Sequence, residues 1–248
     1  MSKDYYLGID IGTYESKGML IDENGTCIAI HAVPHIMESP KPGYAEHDAE
    51  ETWWGDFCKI SKAIIEKANI KPTEIKGVGC SAIAPCCLPV DENCRPLRKA
   101  ILYGVDVRAE KEITYLNETL GEEYVLKKYG NPITSQSIGP KILWIKNNEP
   151  EIYQKTYKFI TSATYLVAKL TGGYYIDNYT AAYFTPMYDL TKCDWDYENI
   201  GQFCRPDQLA QCRWSDEVVG TVTKEAAAQT GLAEGTPCLL YTSKTHKG

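Results

Sequence analysis

The N-terminal stretch constrains the fold most, because it alternates short apolar runs with tight-turn signals. Residues 6–12 form an apolar run ending at a glycine, residues 18–22 lead back, and residues 26–33 form a third run. The turn before the third run carries Asn24-Gly25, a pair favoured in two-residue hairpin turns. Three consecutive antiparallel strands are therefore predicted at the start of the chain.

The first turn concentrates groups that suit a phosphate. Asp10 ends the apolar run, and Gly12 and Thr13 form the turn itself. Backbone N–H groups and a hydroxyl that converge in this way bind phosphate, and an adjacent carboxylate can hold a hydrated Mg²⁺. The pattern is not a P-loop, because Gly-x-x-x-x-Gly-Lys-Ser/Thr is absent and the glycine leads into a strand. Taken alone, this turn leaves an ordinary hairpin as the alternative.

Composition excludes some classes of partner. The formal net charge of −7 argues against nucleic acid, since binding a phosphate backbone requires basic surface. No apolar stretch approaches the roughly 18 residues that a membrane helix needs, and no signal peptide is recognised. The ten cysteines match no zinc or haem spacing, which predicts reduced structural thiols and a cytoplasmic protein.

The rest of the chain alternates predicted helices with short strands. Asp48 and Glu51 form a capping-box pattern, which opens a helix that runs through Trp53-Trp54, expected in the core, to about residue 68. Further helices are predicted at residues 110–128, 141–146 and 162–170, and strands at 75–82, 86–91 and 100–103. The fold class is thus α/β, with a mixed sheet of three antiparallel N-terminal strands and flanking helices. The order βββαβ is that of the ribonuclease H-like fold of actin-type ATPases.

An ordered set of short motifs resembles the FGGY carbohydrate kinases, a family that includes glycerol kinases, xylulokinases and ribulokinases. The similar segments are residues 6–17, 43–48, 53–54, 78–81, 96–103, 106–108, 130–132, 140–144, 177–181, 188–190 and 194–195. They follow in the family's order over about residues 5–238. The resemblance implies an enzyme of two lobes that enclose a sugar and ATP, and this chain corresponds to the amino-terminal lobe, with the other lobe of the same protein missing.

The resemblance implies a role for the first hairpin in phosphoryl transfer from ATP. Asp10 would hold Mg²⁺ through water, Gly12 and Thr13 would face the phosphates, and Lys17 would supply a compensating positive charge. The expected partners are the second lobe and a small sugar of ketopentose type, as for the xylulokinases and ribulokinases that the chain resembles; a homodimer is left open.

The sugar site is predicted at five positions. Ala84 and Pro85 stand where glycerol kinases of the family have Arg-Glu and xylulokinases have Met-His. The small residue is more similar to ribulokinases and leaves room for a differently oriented sugar. Asp106 and Arg108 follow a strand and are expected to reach sugar hydroxyls, with a surface salt bridge as the alternative. Gln136 stands where glycerol kinases have a substrate-facing aromatic residue. No catalytic work is assigned to the four histidines.

The chain departs from the family near its end. Lys244 stands seven residues after Pro237, where xylulokinases carry the catalytic Asp. A lysine is a cation at neutral pH and cannot take a proton without a large pKa shift. Residues 1–240 are therefore predicted to be the N-terminal kinase domain. Residues 241–248 are predicted to be a tail of vector or truncation origin, and no catalytic residue is assigned.

Two other classes of protein would carry the same N-terminal hairpin. A non-catalytic actin-type module would bind nucleotide or a partner, but it would not be expected to carry Trp53-Trp54 or the segments 106–108 and 131–132. An activase of the same fold would need convergent cysteines for an iron–sulfur cluster, and their spacing gives none. Fold alone does not choose between these functions.

Overall fold

The computed structural model of the chain describes residues 4–240. Its strands are β1 (Tyr5–Ile11), β2 (Glu15–Asp22), β3 (Cys27–Pro34), β4 (Glu46–His47), β5 (Ile75–Ala82), β6 (Leu88–Val90), β7 (Ala100–Ile101), β8 (Lys158–Ile160), β9 (Tyr175–Asp177), β10 (Tyr188–Asp189), β11 (Asp194–Trp195), β12 (Gln211–Arg213), β13 (Val218–Thr221) and β14 (Pro237–Leu239). Its α-helices are α1 (Gly55–Ala68), α2 (Glu110–Leu120), α3 (Glu122–Tyr129), α4 (Ile138–Asn148), α5 (Pro150–Lys155), α6 (Ser162–Thr171), α7 (Asn178–Ala181) and α8 (Lys224–Thr230). A π-helical stretch, Ala49–Trp54, leads into α1.

The main sheet has six strands in the order β13-β14-β5-β1-β2-β3. Strand β2 pairs in antiparallel fashion with both β1 and β3, while β1 pairs in parallel with β5, and β5 in parallel with β14. The predicted α/β class, with three antiparallel strands joined to parallel ones in a mixed sheet, is confirmed. The parallel strands β1, β5 and β14 end at the same edge, and this edge positions the candidate site.

Helix α1 covers one face of the N-terminal strands. The helix packs very closely against β2. A Cβ on Gly18 of that strand would lie 2.3 Å from Cγ2 of Ile60 in α1. Trp53 and Trp54, at the entry to this helix, are buried as predicted. Truncating an aromatic side chain as deeply buried as Trp53 costs about 3–5 kcal/mol of folding free energy. The Asp48 half of the predicted capping box is present, because the Asp48 carboxylate accepts hydrogen bonds from the N–H groups of Glu50 and Glu51 at the start of the π-helical stretch.

Four predicted elements differ clearly from the structure, one of them the strand predicted over residues 100–103, which shortens to β7. The helix predicted over residues 110–128 is two helices, because Gly121 has φ +81° and ends α2. Helix α4 begins at Ile138, earlier than predicted, since Pro140 is tolerated in a first turn. The strand predicted over residues 86–91 shortens to β6, which pairs with β8, while single bridges connect Cys87 to Ile101 and Val90 to Pro96.

All ten cysteines have free thiols. Burial raises the pKa of both Cys86 and Cys87 to about 12, which keeps these thiols protonated at neutral pH. They act as small apolar side chains in the core. Across residues 4–240, no helix is both long and apolar enough to cross a membrane.

Candidate functional site

The candidate site lies where the C-terminal ends of β1 and β5 meet. The N–H of Ile83 donates a hydrogen bond to the carbonyl of Ile11 at 2.8 Å. This contact places the loop with Ala84 and Pro85 beside the turn of the first hairpin. Ligands of open α/β sheets bind outside the carboxyl ends of the strands, so this is the expected edge for a site.

The hairpin turn is built around a glycine. The N–H of Gly12 donates to the Glu15 carbonyl at 3.0 Å, and a Cβ at position 12 would lie 2.5 Å from that same oxygen. Any other residue would have to displace the backbone. The Thr13 hydroxyl lies 2.9 Å from the Tyr103 hydroxyl, which joins the turn to the loop after β7. The structure thus brings Gly12 and Thr13 together in a tight, tethered turn.

Asp10 and Lys17 lie on the sheet face that points away from α1. They are directly opposite one another in the register of β1 and β2, and Asp10 is opposite Ser81 of β5. The Lys17 ammonium is 2.7 Å from the Glu15 carboxylate, and that hydrogen bond is the main reason its pKa is raised. Lys17 remains mostly exposed, so its charge is solvent-screened and shared with Glu15.

The donor set at this edge fits a magnesium ion. Mg²⁺ is usually held by one or two carboxylates, several waters and the phosphates of a substrate. Asp10 offers one carboxylate next to a turn that a phosphate can approach. Nothing in residues 4–240 brings three His, Cys, Asp or Glu side chains into an arrangement that could hold a metal, so any ion here would depend on water and phosphate for its other ligands.

Two histidines support the turn from the α1 side. In the His35 ring, Nε2 is 3.1 Å from the Gly12 carbonyl oxygen, and Nδ1 is 2.9 Å from Oδ2 of Asp56. The same carboxylate oxygen accepts the hydroxyl of Ser16 at 2.9 Å. Because both ring nitrogens face oxygen acceptors, the ring makes both hydrogen bonds only when it carries both protons.

The second histidine holds the next carbonyl. Trp53 Nε1 can only donate, and it lies 3.0 Å from Nδ1 of His47. His47 therefore accepts at Nδ1 and donates from Nε2 to the Thr13 carbonyl at 3.1 Å. Burial, followed by the electrostatic effect of His35 at a ring-centroid distance of 5.2 Å, lowers the pKa of His47 to about 4. The ring is neutral at physiological pH.

Sequence reasoning missed these supporting residues. The sequence assigned no catalytic work to the histidines. In the structure two of them contact backbone carbonyls of the hairpin turn, those of Gly12 and Thr13, rather than a reacting group. His35 and His47 belong to separate segments and show no ligand-like spacing. The one local signal was the proximity of His47 to Trp53 in sequence, on either side of the helix cap.

Asp106 and Arg108 form a buried ion pair. The Arg108 guanidinium is 2.8 Å from Asp106 and 2.8 Å from Glu46, and it stacks over the Tyr44 ring at 4.0 Å. Asp106 also accepts the N–H of Ala45 at 2.7 Å. The side-chain exposure of Arg108 is 1% and that of Asp106 is 0%. The alternative of a surface salt bridge is therefore wrong, because the pair is buried, and a contact with sugar hydroxyls stays a prediction that this geometry does not favour.

Gln136 is exposed and lies against the loop after β7. Its Oε1 accepts the N–H of Gly104 at 3.4 Å, and the neighbouring Ser135 hydroxyl donates to the Gly104 carbonyl at 3.0 Å. Lys141 stabilises the turn that contains Ser135 and Gln136, because its Nζ donates a hydrogen bond to the Ser135 carbonyl. Burial lowers the pKa of Lys141 to about 8. Gln136 therefore lies near the hairpin turn: it contacts Gly104, and the preceding residue, Tyr103, contacts Thr13.

Ala84 and Pro85 present little polar surface to this edge. They are joined by a cis peptide, with Ala84 half-buried and Pro85 buried. Lys244 lies outside the described residues. A separate groove of about 690 Å³ between Tyr157, Tyr174 and Trp195 is lined by none of the predicted site residues.

Comparison with known proteins is consistent across sequence and structure. The N-terminal domain of the FGGY family of carbohydrate kinases matches residues 5–243. A probable L-xylulose kinase of Haemophilus influenzae is 34% identical over 94% of this chain and 48% of that protein, and a gluconokinase of Bacillus subtilis is 31% identical over 96% and 46%. The structure of a xylulose kinase from Rhodospirillum rubrum superposes with a TM-score of 0.90 at 26% identity, covering 96% of this chain and 49% of that one. The chain spans about half the length of the curated relatives it matches.

Proposed function

This chain belongs to the FGGY family of carbohydrate kinases, and we propose that the protein carrying it transfers the γ-phosphoryl group of ATP to a hydroxyl of a sugar or polyol. The observation that carries the proposal is the shared edge of β1 and β5. There the turn at Gly12 and Thr13 lies beside the Ala84–Pro85 loop. The contact between Thr13 and Tyr103 connects it to the turn with Gln136.

The proposed roles follow from the position of each group. Asp10 would hold Mg²⁺ through water, and this ion, when bound, neutralises charge on the phosphates. The turn at Gly12 and Thr13 would present its backbone N–H groups and a hydroxyl to the phosphates, and Lys17 adds positive charge on the same sheet face as Asp10. Catalysis of phosphoryl transfer rests mainly on such positioning and electrostatics.

We propose a ketopentose-type substrate. Relatives described as xylulose kinases support this class, although a gluconokinase and glycerol kinases are similar to the chain at comparable identity. The loop with Ala84 and Pro85 offers neither a charge nor a hydrogen-bonding side chain. A sugar bound there would be oriented by groups elsewhere, with the exposed amide of Gln136 as the nearest candidate.

The remaining assignments concern the whole protein. We propose that residues 1–240 form the N-terminal lobe and that a tail outside the family pattern begins after the family match ends at residue 243. A second lobe would supply the adenine pocket and further phosphate contacts. In the family pattern the base that takes the hydroxyl proton belongs to the position at which this sequence has Lys244. We further propose a cytoplasmic enzyme whose partner is a small sugar rather than nucleic acid or membrane, with the homodimer still to be tested.

The test is a coupled ADP-release assay on the full-length protein encoded by the gene. It uses Mg²⁺-ATP with L-xylulose, D-xylulose, D-ribulose, D-gluconate and glycerol. Asp10→Asn keeps the size of the side chain but removes its charge, and should lower kcat by about 100-fold. Asp207→Asn, an exposed surface change, is the matched control. Nucleotide binding without sugar-dependent ADP release would favour the non-catalytic module instead.

A further inference from the structure

We infer that His35 and His47 are positioning residues of the phosphate site, an inference that rests on the proposed function. By holding the carbonyls of Gly12 and Thr13, they direct the N–H groups of Thr13 and Tyr14 to the opposite side, where the phosphates of the nucleotide bind. The two rings, together with Asp56 and Trp53, form what we call the histidine clamp.

The direction of these N–H groups follows from peptide geometry. In a trans peptide the C=O of one residue and the N–H of the next point in opposite directions. The cis peptides within residues 4–240 are Ala84–Pro85 and Thr185–Pro186, so both peptides of the turn are trans. The Gly12 carbonyl points to the His35 ring and the Thr13 carbonyl to the His47 ring. The N–H groups of Thr13 and Tyr14 therefore point away from the clamp.

That opposite side is the side of Asp10. The clamp reaches the turn from the α1 face, because the His35 ring also contacts Asp56 of that helix. Asp10 alternates with the buried Ile9 and Ile11, so its side chain belongs to the face away from α1. Two N–H donors and one carboxylate thus share a face, which suits a phosphate with its metal ion.

The clamp fixes the turn at more than one point. The backbone N–H of His35 donates to the Tyr14 carbonyl at 2.9 Å, in addition to the contact of its ring with Gly12. His47 is in turn held by Trp53, which is fully buried. Donors held rigidly before a ligand arrives lose little on binding, and this preorganisation is what the clamp supplies.

The first test reads the ring of His47 in the unmodified 248-residue chain. Long-range ¹H–¹⁵N correlation spectra should show the neutral tautomer with the proton on Nε2 and an accepting Nδ1. The opposite tautomer would overturn the inference, because its Nε2 could not donate to Thr13. This measurement does not depend on any variant folding.

The second test follows the amides of Thr13 and Tyr14 by ¹H–¹⁵N spectra during titration with Mg²⁺-ADP up to millimolar concentration. Both cross-peaks should shift in the unmodified chain. His47→Leu should require about tenfold more ligand, the usual effect of losing one neutral hydrogen bond. His47→Gln, which keeps a donor and an acceptor, should stay within about threefold of the unmodified chain. Unshifted amides, or equal affinity in His47→Leu, would refute the clamp.

Kinetics of the full-length protein separate this inference from the proposed function. His47→Leu should raise KM for Mg²⁺-ATP about tenfold while KM for the sugar changes less than about twofold. His31→Leu on the outer strand β3 is the control. An equal rise of both KM values would mean a merely structural role and would contradict the clamp. If the unmodified enzyme transfers no phosphoryl group to any sugar, the proposed function fails, and the amide titration still decides the clamp.

Discussion

Acidification should destabilise this chain through the ring of His47. The neutral ring accepts a hydrogen bond from Trp53 and donates one to the Thr13 carbonyl. A proton on Nδ1 would remove the acceptor that Trp53 needs, and it would place a positive charge on a buried ring. The hydrogen bond to the Thr13 carbonyl and the charges of Glu38 and Asp56 oppose this effect, but burial dominates and the pKa of His47 is lowered to about 4.

The sign and size of the effect follow from the two pKa values of His47. The folded chain releases its proton near pH 4, while the unfolded chain does so near 6.5. Between these values the unfolded state binds a proton that the folded state does not, so the free energy of unfolding falls as the pH is lowered from 6.5 to 4. A difference of roughly 2.5 pH units corresponds to a loss of about 3 kcal/mol.

Urea unfolding at pH values from 4.5 to 7.5 measures this loss, and a variant isolates it from the carboxylates that titrate in the same range. His47→Gln keeps a donor and an acceptor but has no titrating group, so its free energy of unfolding should depend less steeply on pH. His31→Gln controls for loss of an unrelated histidine and should keep the slope of the unmodified chain. Parallel curves for His47→Gln and the unmodified chain would refute the reasoning.

Three further outcomes are expected. Arg108→Ala leaves the buried Asp106 without its cation, while Glu46 keeps Arg98, and should cost about 3–5 kcal/mol in urea unfolding. Arg205→Ala at an exposed pair should cost less than about 1 kcal/mol, and equal costs would contradict the buried pair. Gly12→Ala should lower stability by about 1–3 kcal/mol in the same assay because its Cβ meets backbone, unlike Gly201→Ala, where nothing lies within 4 Å. The 248-residue chain should show no sugar-dependent ADP release, so turnover that disappears in Asp10→Ala would prove that one lobe suffices.

Much of the fold could be predicted because its signals are local. The Asn24-Gly25 turn and the apolar alternation around it mark the hairpins, and the cap at Asp48 marks a helix start. These signals lie within a few residues of the elements they create. The break at Gly121 carried an equally local signal, the glycine itself, but the polar periodicity on both sides outweighed it in the prediction.

The candidate site was only partly predictable, because its support is assembled from distant segments. Asp10, Gly12 and Thr13 are adjacent in sequence and were assigned together. The ring of His35 reaches the same turn from the end of β3. No pattern in the sequence shows that an imidazole will face a particular carbonyl, because that contact depends on how α1 packs against the sheet.

The buried contacts of Asp106 also could not be predicted from the sequence, because they join it to Ala45, which lies far away along the chain. Its place after a strand resembled that of a substrate-binding carboxylate, yet the folded chain uses its oxygens to hold Arg108 and the Ala45 N–H. A carboxylate whose charge is already matched inside the protein loses that pairing if it turns to a ligand. The geometry therefore gives the pair a supporting task, joining the segment around Ala45 to the loop that begins at Tyr103. Because the hydroxyl of Tyr103 contacts Thr13, this buried pair anchors one end of the connection between the phosphate turn and the proposed sugar loop.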